Sequence, residues 1–202
     1  MLNAKTEETW AKHNICGWQS ICFTLIIIIC LWQTEVVEAQ NEVYKTDNGY
    51  VEFKSEVPSH TFTGESDKVI GKISLADSTI DFYVDLATLK TGISLRDQDM
   101  YETLNIEEHP FAEFFGKLDS SVNPDTSVQQ RVVADGEFSI HGVAREVRIP
   151  GYLRFEDGNL NLTANWVIKL SDYNIEPPGI LFYRVDEKQE ITLQTELKPV
   201  EN

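Results

Sequence analysis

Apolar and polar residues alternate with a period of two over most of the chain, the pattern of strands with one face buried. Tyr44–Lys45 and Gly49–Val57 supply the first such material, with Asp47-Asn48-Gly49 as a turn between them and Pro58 as a stop. Val69, Gly71, Ile73 and Leu75 form a second set and Ile80, Phe82, Val84 and Leu86 a third, joined through Ala76-Asp77-Ser78. Phe111–Ser121 resumes the pattern, although Phe114 and Phe115 are adjacent and cannot share one face of a regular strand. Either a bulge lies there or one ring points outward. After the Asn123-Pro124-Asp125 loop, Val132, Ala134, Gly136, Phe138 and Ile140 alternate cleanly, and so do Val147, Ile149, Gly151, Leu153 and Phe155. Asp157-Gly158 marks a tight hairpin. Leu160 to Leu170 is the longest alternation, Pro177-Pro178-Gly179 breaks the sheet, and Ile191, Leu193 and Leu197 mark the closing strand.

One segment interrupts this pattern. Thr91-Gly92 ends the third strand and its extension, and Ser94-Leu95-Arg96-Asp97 has the S-x-x-D form of a helix N-terminus. Met100 and Leu104 stand four apart and can face the same way, while His109-Pro110 closes the segment because the residue before proline avoids the α region. The spacing predicts a short helix at roughly residues 95–105. About eight strands with one short helix fit a sandwich or a closed up-and-down barrel, and the periodicity does not separate these. The recurrence of Gly71, Ala134, Gly136, Gly151 and Ala164 on the apolar parity fits room for a ligand as well as relief of crowding in a tapered barrel.

Charge and the N-terminus narrow the function. A net charge of −16 argues against nucleic acid, whose recognition rests on basic surfaces, and against docking on anionic lipid headgroups. Ile21–Trp32 is apolar apart from Thr24, and as a helix it would span only about 18 Å. That is short for a membrane crossing but suits a signal-peptide core, and Val37-Glu38-Ala39 places small side chains at −3 and −1. We therefore expect a signal peptide at 1–39, cleaved before Gln40, with a periplasmic or secreted domain at 40–202. The alternative is an uncleaved leader anchoring the protein to the inner membrane. Cys16, Cys22 and Cys30 all lie in this leader, so the mature domain should hold no disulfide and no thiolate chemistry. Its charge stays acidic, since removing two Lys and four acidic residues leaves 15 basic and 29 acidic, a net −14.

No catalytic constellation is apparent. His60, His109 and His141 stand in no H-x-x-x-H or H-E-x-x-H spacing, Glu107-Glu108-His109 reads as a solvated acidic turn, and no G-x-S-x-G occurs. With no glycine-rich phosphate loop either, we expect no metal, no cofactor and no enzyme. Arg96-Asp97 is the most informative polar pair: Arg96 could hold a ligand headgroup at a rim or pin the helix to the sheet, and pinning is the preferred reading. Trp166 reads as core before ligand platform.

The runs VDLATLKTGISLRDQDM (84–100), EHPFAEF (108–114), GEFSIHGVAREV (136–147) and IKLSDYNIEPP (168–178) resemble, in order, the motifs of the YceI-like family of exported lipid-binding barrels. The likeness spans roughly Tyr44–Leu197; Gln98-Asp99 and Thr103-Leu104-Asn105 depart from the family's usual residues. It implies an all-β fold, an eight-stranded antiparallel lipocalin-like barrel with a helix beside its mouth, which sequesters a lipid-like amphiphile of isoprenoid or fatty-acid type. The inward candidates for an apolar lumen are then Ile73, Phe82, Val84, Phe115, Phe138, Ile149, Leu153, Trp166, Ile168 and Leu193, with Arg96 a possible polar rim. The competing reading is a non-catalytic structural or stress-response module, its barrel packed solid, that meets a protein partner through the helix or the acidic surface. Nothing in the sequence bears on oligomeric state.

Overall fold

In the computed structural model, residues 43–57, 60–176 and 185–200 are described. Eight strands follow in chain order: β1 (Val43–Val57), β2 (His60–Ser74), β3 (Thr79–Asp85), β4 (Phe111–Leu118), β5 (Gln130–Ile140), β6 (Val143–Glu156), β7 (Asn159–Lys169) and β8 (Lys188–Pro199). Each pairs antiparallel with its neighbour and β8 returns to β1, so the sheet is a closed barrel. Closure removes the unpaired edges that an open sheet would expose. Among the described residues a single α-helix, α1 (Ser94–Thr103), lies between β3 and β4.

Period-two alternation in the sequence becomes an inside and an outside. β4 is the plainest case: Ala112, Phe114, Gly116 and Leu118 point in while Phe111, Glu113, Phe115 and Lys117 point out. Its pairing with β3 and β5 runs without a register shift, so the adjacent Phe114 and Phe115 need no bulge. Phe114 is buried and Phe115 is 62% exposed on the outer wall.

One expected turn is absent. Asp47-Asn48-Gly49 does not separate two strands but lies inside β1, as a bulge that shifts register against both β2 and β8. Buried Thr46 holds it, because its hydroxyl donates to Asn48 Oδ1 (3.2 Å) and accepts from Thr195 Oγ1 (2.9 Å). The first half of β2, residues 60–68, carries too few apolar residues to show an alternation, yet it pairs with β1 from Thr61 to Ser66. β1 ends at Val57, before Pro58; that proline, Pro177-Pro178-Gly179 and the expected leader with its cleavage before Gln40 lie outside the described residues.

Several glycines answer the question of crowding against room. A Cβ at Gly71 would sit 2.0 Å from Phe82 Cδ1, and one at Gly64 would sit 2.2 Å from Phe53 Cε1. Gly116 and Gly136 face each other across β4 and β5, where a Cβ on either would strike backbone within 2.5 Å. These positions let rings and strands approach closely. Gly151, Ala134 and Ala164 instead border open space inside the barrel.

The two ends of the barrel differ. At the end where β1 begins and β8 finishes, Tyr44, Phe155, Leu160 and Leu197 are buried against one another, with the Tyr44 and Phe155 rings edge to face at 5.8 Å. This floor is solid. At the other end stand α1, the His141-Gly142 hairpin and the Leu170–Tyr173 turn.

Candidate ligand-binding site

Above that floor the barrel is hollow. A cavity of about 560 Å³ runs from Leu118 and Leu153 to the mouth, and all eight strands contribute to its wall. The wall is almost wholly aliphatic and aromatic. Phe82, Phe114 and Phe138 are paired across β3, β4 and β5, forming an inward row of rings. Phe138 in turn meets Trp166 (6.2 Å between centroids) and Tyr173 (5.6 Å), both edge to face.

Of the residues expected to face a lumen, Ile73, Phe82, Val84, Phe138, Ile149, Leu153, Trp166, Ile168 and Leu193 do border this cavity. Phe115 does not, and its place belongs to Phe114. Parity decides it: the register Phe82↔Phe114↔Phe138 puts Phe115 opposite Asp81 and Glu137 on the solvent side. Sequence reasoning also passed over Phe53, Phe62, Met100, Leu104, Ile191 and Gln189, all of which line the cavity. Met100 and Leu104 carried a signal in their four-residue spacing; Phe62 and Gln189 lie in polar stretches where no alternation announces them.

Polar groups are sparse and grouped near the mouth. Gln189 Nε2 donates to Ser55 Oγ (3.2 Å) and to the Asp186 carbonyl (2.6 Å), which satisfies an amide that is buried inside the wall. Trp166 borders the cavity, and among the described residues its buried indole nitrogen has no hydrogen-bond partner. No group of three or more His, Cys, Asp or Glu side chains among the described residues could hold a metal ion.

Helix α1 forms one side of the mouth, and the pair Arg96-Asp97 divides its labour there. Asp97 is buried and its Oδ1 accepts from both the backbone N–H (2.7 Å) and the hydroxyl (2.6 Å) of Thr91. Those hydrogen bonds, the hydroxyl's first, hold the carboxyl below the usual carboxylate range. Ser94 is not the cap: Ile93 precedes the first helical residue and supplies no side-chain bond, so Asp97 fastens the helix by reaching outside it. Tyr101 adds a second tie, its hydroxyl 2.6 Å from the Leu89 carbonyl. The helix ends before His109-Pro110, because Asn105 takes a left-handed conformation and the bonds Asn105 N–H to Glu102 and Ile106 N–H to Tyr101 complete a Schellman motif.

Arg96 has another position. Its guanidinium carbon lies 4.6 Å above the Phe62 ring, and among the described residues no carboxylate or carbonyl pairs with it. The preference for Arg96 as the pin is therefore corrected: the pin is Asp97, and Arg96 stands at the cavity mouth stacked on an aromatic face. It is the only cation among the described residues that line the cavity.

A family model described as the YceI-like domain matches residues 43–197. The chain belongs to the YceI-like family. Solved structures agree with this YceI-like barrel in fold. A polyisoprenoid-binding domain from Saccharophagus degradans, implicated in plant cell wall breakdown, aligns with a TM-score of 0.68 at 15% identity, covering 79% of this chain and 99% of that one. BcnA of Burkholderia cenocepacia aligns with a TM-score of 0.61 at 16% identity over 74% of this chain and 95% of its own. A mutant Campylobacter jejuni YceI protein with a monobromobimane guest structure gives 0.52 at 14% identity, covering 68% and 85%. No curated protein matches the YceI-like chain by sequence.

Proposed function

We propose that this YceI-like protein is a non-catalytic carrier that holds the apolar tail of an isoprenoid- or fatty-acid-type amphiphile inside the barrel, outside the cytoplasm. The observation that carries the reading is the lumen itself, about 560 Å³ of apolar-walled space closed at the floor and open at α1. That volume lies within the range of small-molecule sites, roughly 300–1,000 Å³. The driving force is transfer of hydrocarbon out of water, about 0.8 kcal/mol per methylene, so ten buried methylenes offer about 8 kcal/mol before the cost of association. Few polar contacts are then needed, in keeping with the bare wall. Arg96 at the mouth is where a polar or anionic headgroup would remain while the tail lies inside. A packed structural module leaves this space without a purpose. The leader-like N-terminus supports export, and the family relationship supports a lipid-like ligand.

The test uses delipidated protein and anthroyloxy-labelled palmitate. Trp166 is the only tryptophan after the expected leader, so its quenching reports on the lumen. Saturable quenching with one site per chain is expected. Ala164→Phe, which puts a ring into the cavity from a buried position on β7, should weaken capture at least tenfold while the barrel still melts cooperatively. Native capture without saturation, or undiminished capture by the folded variant, would sink the proposal.

A further inference from the structure

Where the chain leaving β3 enters the first turn of α1 it makes an exposed tip, Gly92-Ile93-Ser94-Leu95. Gly92 has φ +77°, and apart from its chain neighbours no heavy atom stands within 4 Å of where its Cβ would be, so the backbone there faces open space. Ile93 is 49% exposed and Leu95 68% exposed, yet both also border the cavity. The same two apolar side chains thus face solvent on the tip and the cavity at its mouth. The charges around it are as uneven. In a chain of net charge −16, the stretch from Lys90 to Arg96 contains no acid, and the first one after it, Asp97, is turned inward onto Thr91. Asp99 and Glu113 also line the mouth, but Lys90, held over the Tyr101 ring, and Arg96, held over the Phe62 ring, are the charges that flank the two apolar side chains in sequence. Two apolar side chains with a cation on either side is a composition for the boundary between lipid headgroups and acyl chains, where the side chains insert and the cations lie beside phosphates.

We infer that this tip docks transiently on a lipid bilayer and passes the amphiphile between membrane and lumen. A second copy of the chain or another protein would leave the flanking cations and the place of both side chains at the cavity mouth unexplained. The acidic body sets the kind of membrane: repulsion from a strongly anionic surface leaves a zwitterionic one as the fitting partner. Cargo transfer rests on the lumen reading above, whereas docking itself is measured without cargo.

Two measurements on the whole protein test this. In flotation with probe-free phosphatidylcholine vesicles, the native protein should rise with the lipid and the double variant Ile93→Ser, Leu95→Ser should stay behind. Val128→Ser, which removes an equally exposed apolar side chain (69%) from the β4–β5 loop at the other end of the barrel, should rise like the native protein. In stopped-flow uptake of anthroyloxy-palmitate from the same vesicles, the native rate should increase with vesicle concentration, the mark of collision. The double variant should be slower by about tenfold, the scale set by burying part of two aliphatic side chains, and its rate should be independent of vesicle concentration. A double variant that floats like the native protein, or a native rate indifferent to vesicle concentration, overturns the inference. A native dimer that the double variant turns into a monomer in sedimentation assigns the tip to a second copy and overturns it equally. Failure of every protein to take up the probe from vesicle-free solution strikes the lumen reading instead, and flotation still decides docking.

Discussion

Asp97→Ala should loosen the mouth of the barrel far more than Arg96→Ala, although the two residues are neighbours. The alanine removes an ionised acceptor from two donors at 2.7 and 2.6 Å, leaving the half-buried Thr91 N–H without its partner and the hydroxyl with only the Ile93 carbonyl at 3.4 Å. Hydrogen bonds to charged groups are worth about 1.5–3 kcal/mol; because both bonds end on one oxygen, we take about 2–3 kcal/mol for the pair. For a domain of this size each kcal/mol moves the midpoint by roughly 2–4 °C, so Tm should fall by roughly 5–10 °C. Arg96→Ala removes a stacking contact on Phe62 at a partly open site, worth about 0.5–1 kcal/mol, and should lower Tm by a few degrees at most. Thermal melts of the unloaded protein followed by circular dichroism make the comparison. A double-mutant cycle with Thr91→Val adds the pairwise term, expected at about 1 kcal/mol or more because the two groups touch. An Asp97→Ala melt within two degrees of native, or an Arg96→Ala melt that falls further, would refute the assignment of the pin to Asp97.

Other expectations follow from packing and charge. Gly71→Ala places a carbon 2.0 Å from Phe82 Cδ1, so that ring must turn toward the lumen; a loss of about 1–3 kcal/mol in urea unfolding is expected, together with a smaller capacity for apolar probe. Asp77 is held down to about 2 by hydrogen bonds from Ser74 and then Thr79 in the β2–β3 turn. Its folded pKa lies below the unfolded value of about 3.9, so its contribution is complete above that value and is lost as pH falls toward 2. Asp77→Asn should therefore flatten the dependence of Tm on pH between about 4 and 2, and an unchanged slope counts against this role.

How much of this was legible in the sequence depends on where burial is one-sided. Strands β3 and β5 to β7 declare their inner faces because water on one side and hydrocarbon on the other force alternation; Phe82, Val84, Phe138, Ile149, Leu153, Trp166 and Ile168 border the cavity, together with Ile80, Val132, Ile140 and Leu162, which share their parity but were not among the lumen candidates. At Phe114-Phe115 both residues are apolar, so composition cannot choose, and the cross-strand register does. Asp47-Asn48-Gly49 has the chemistry of a hairpin, but a hairpin needs its flanking strands to pair with each other, and here both flanks pair with β2 and β8. The start of β2 was illegible because its inward positions are Phe62, Gly64 and Ser66, chosen to fit Phe53 and Thr88 rather than to be apolar. The S-x-x-D pattern marked the right place with the wrong device: Ser94 does not cap the helix, and Asp97, expected only to favour the helix dipole, secures its start by accepting from Thr91.

The wall itself is unevenly stitched. β1 meets β2 over most of its length, from Val43↔Ser74 to Val57↔His60, whereas β2 meets β3 only from Ile70↔Tyr83 to Ile73↔Ile80. Toward the mouth, the described hydrogen bonds between β2 and the chain after β3 shrink to the Glu65–Lys90 backbone pair and the Ser66–Thr88 hydroxyl contact, beside the stacking of Arg96 on Phe62. Pairing between β6 and β7 likewise stops short of the mouth, at Gly151↔Ala164, so parting either seam at that end breaks few backbone bonds, while parting β1 from β2 or β5 from β6 breaks a ladder. Local opening beside α1 is thereby separated from global unfolding. A container built this way can release what it holds on one timescale and keep its shape on a much longer one.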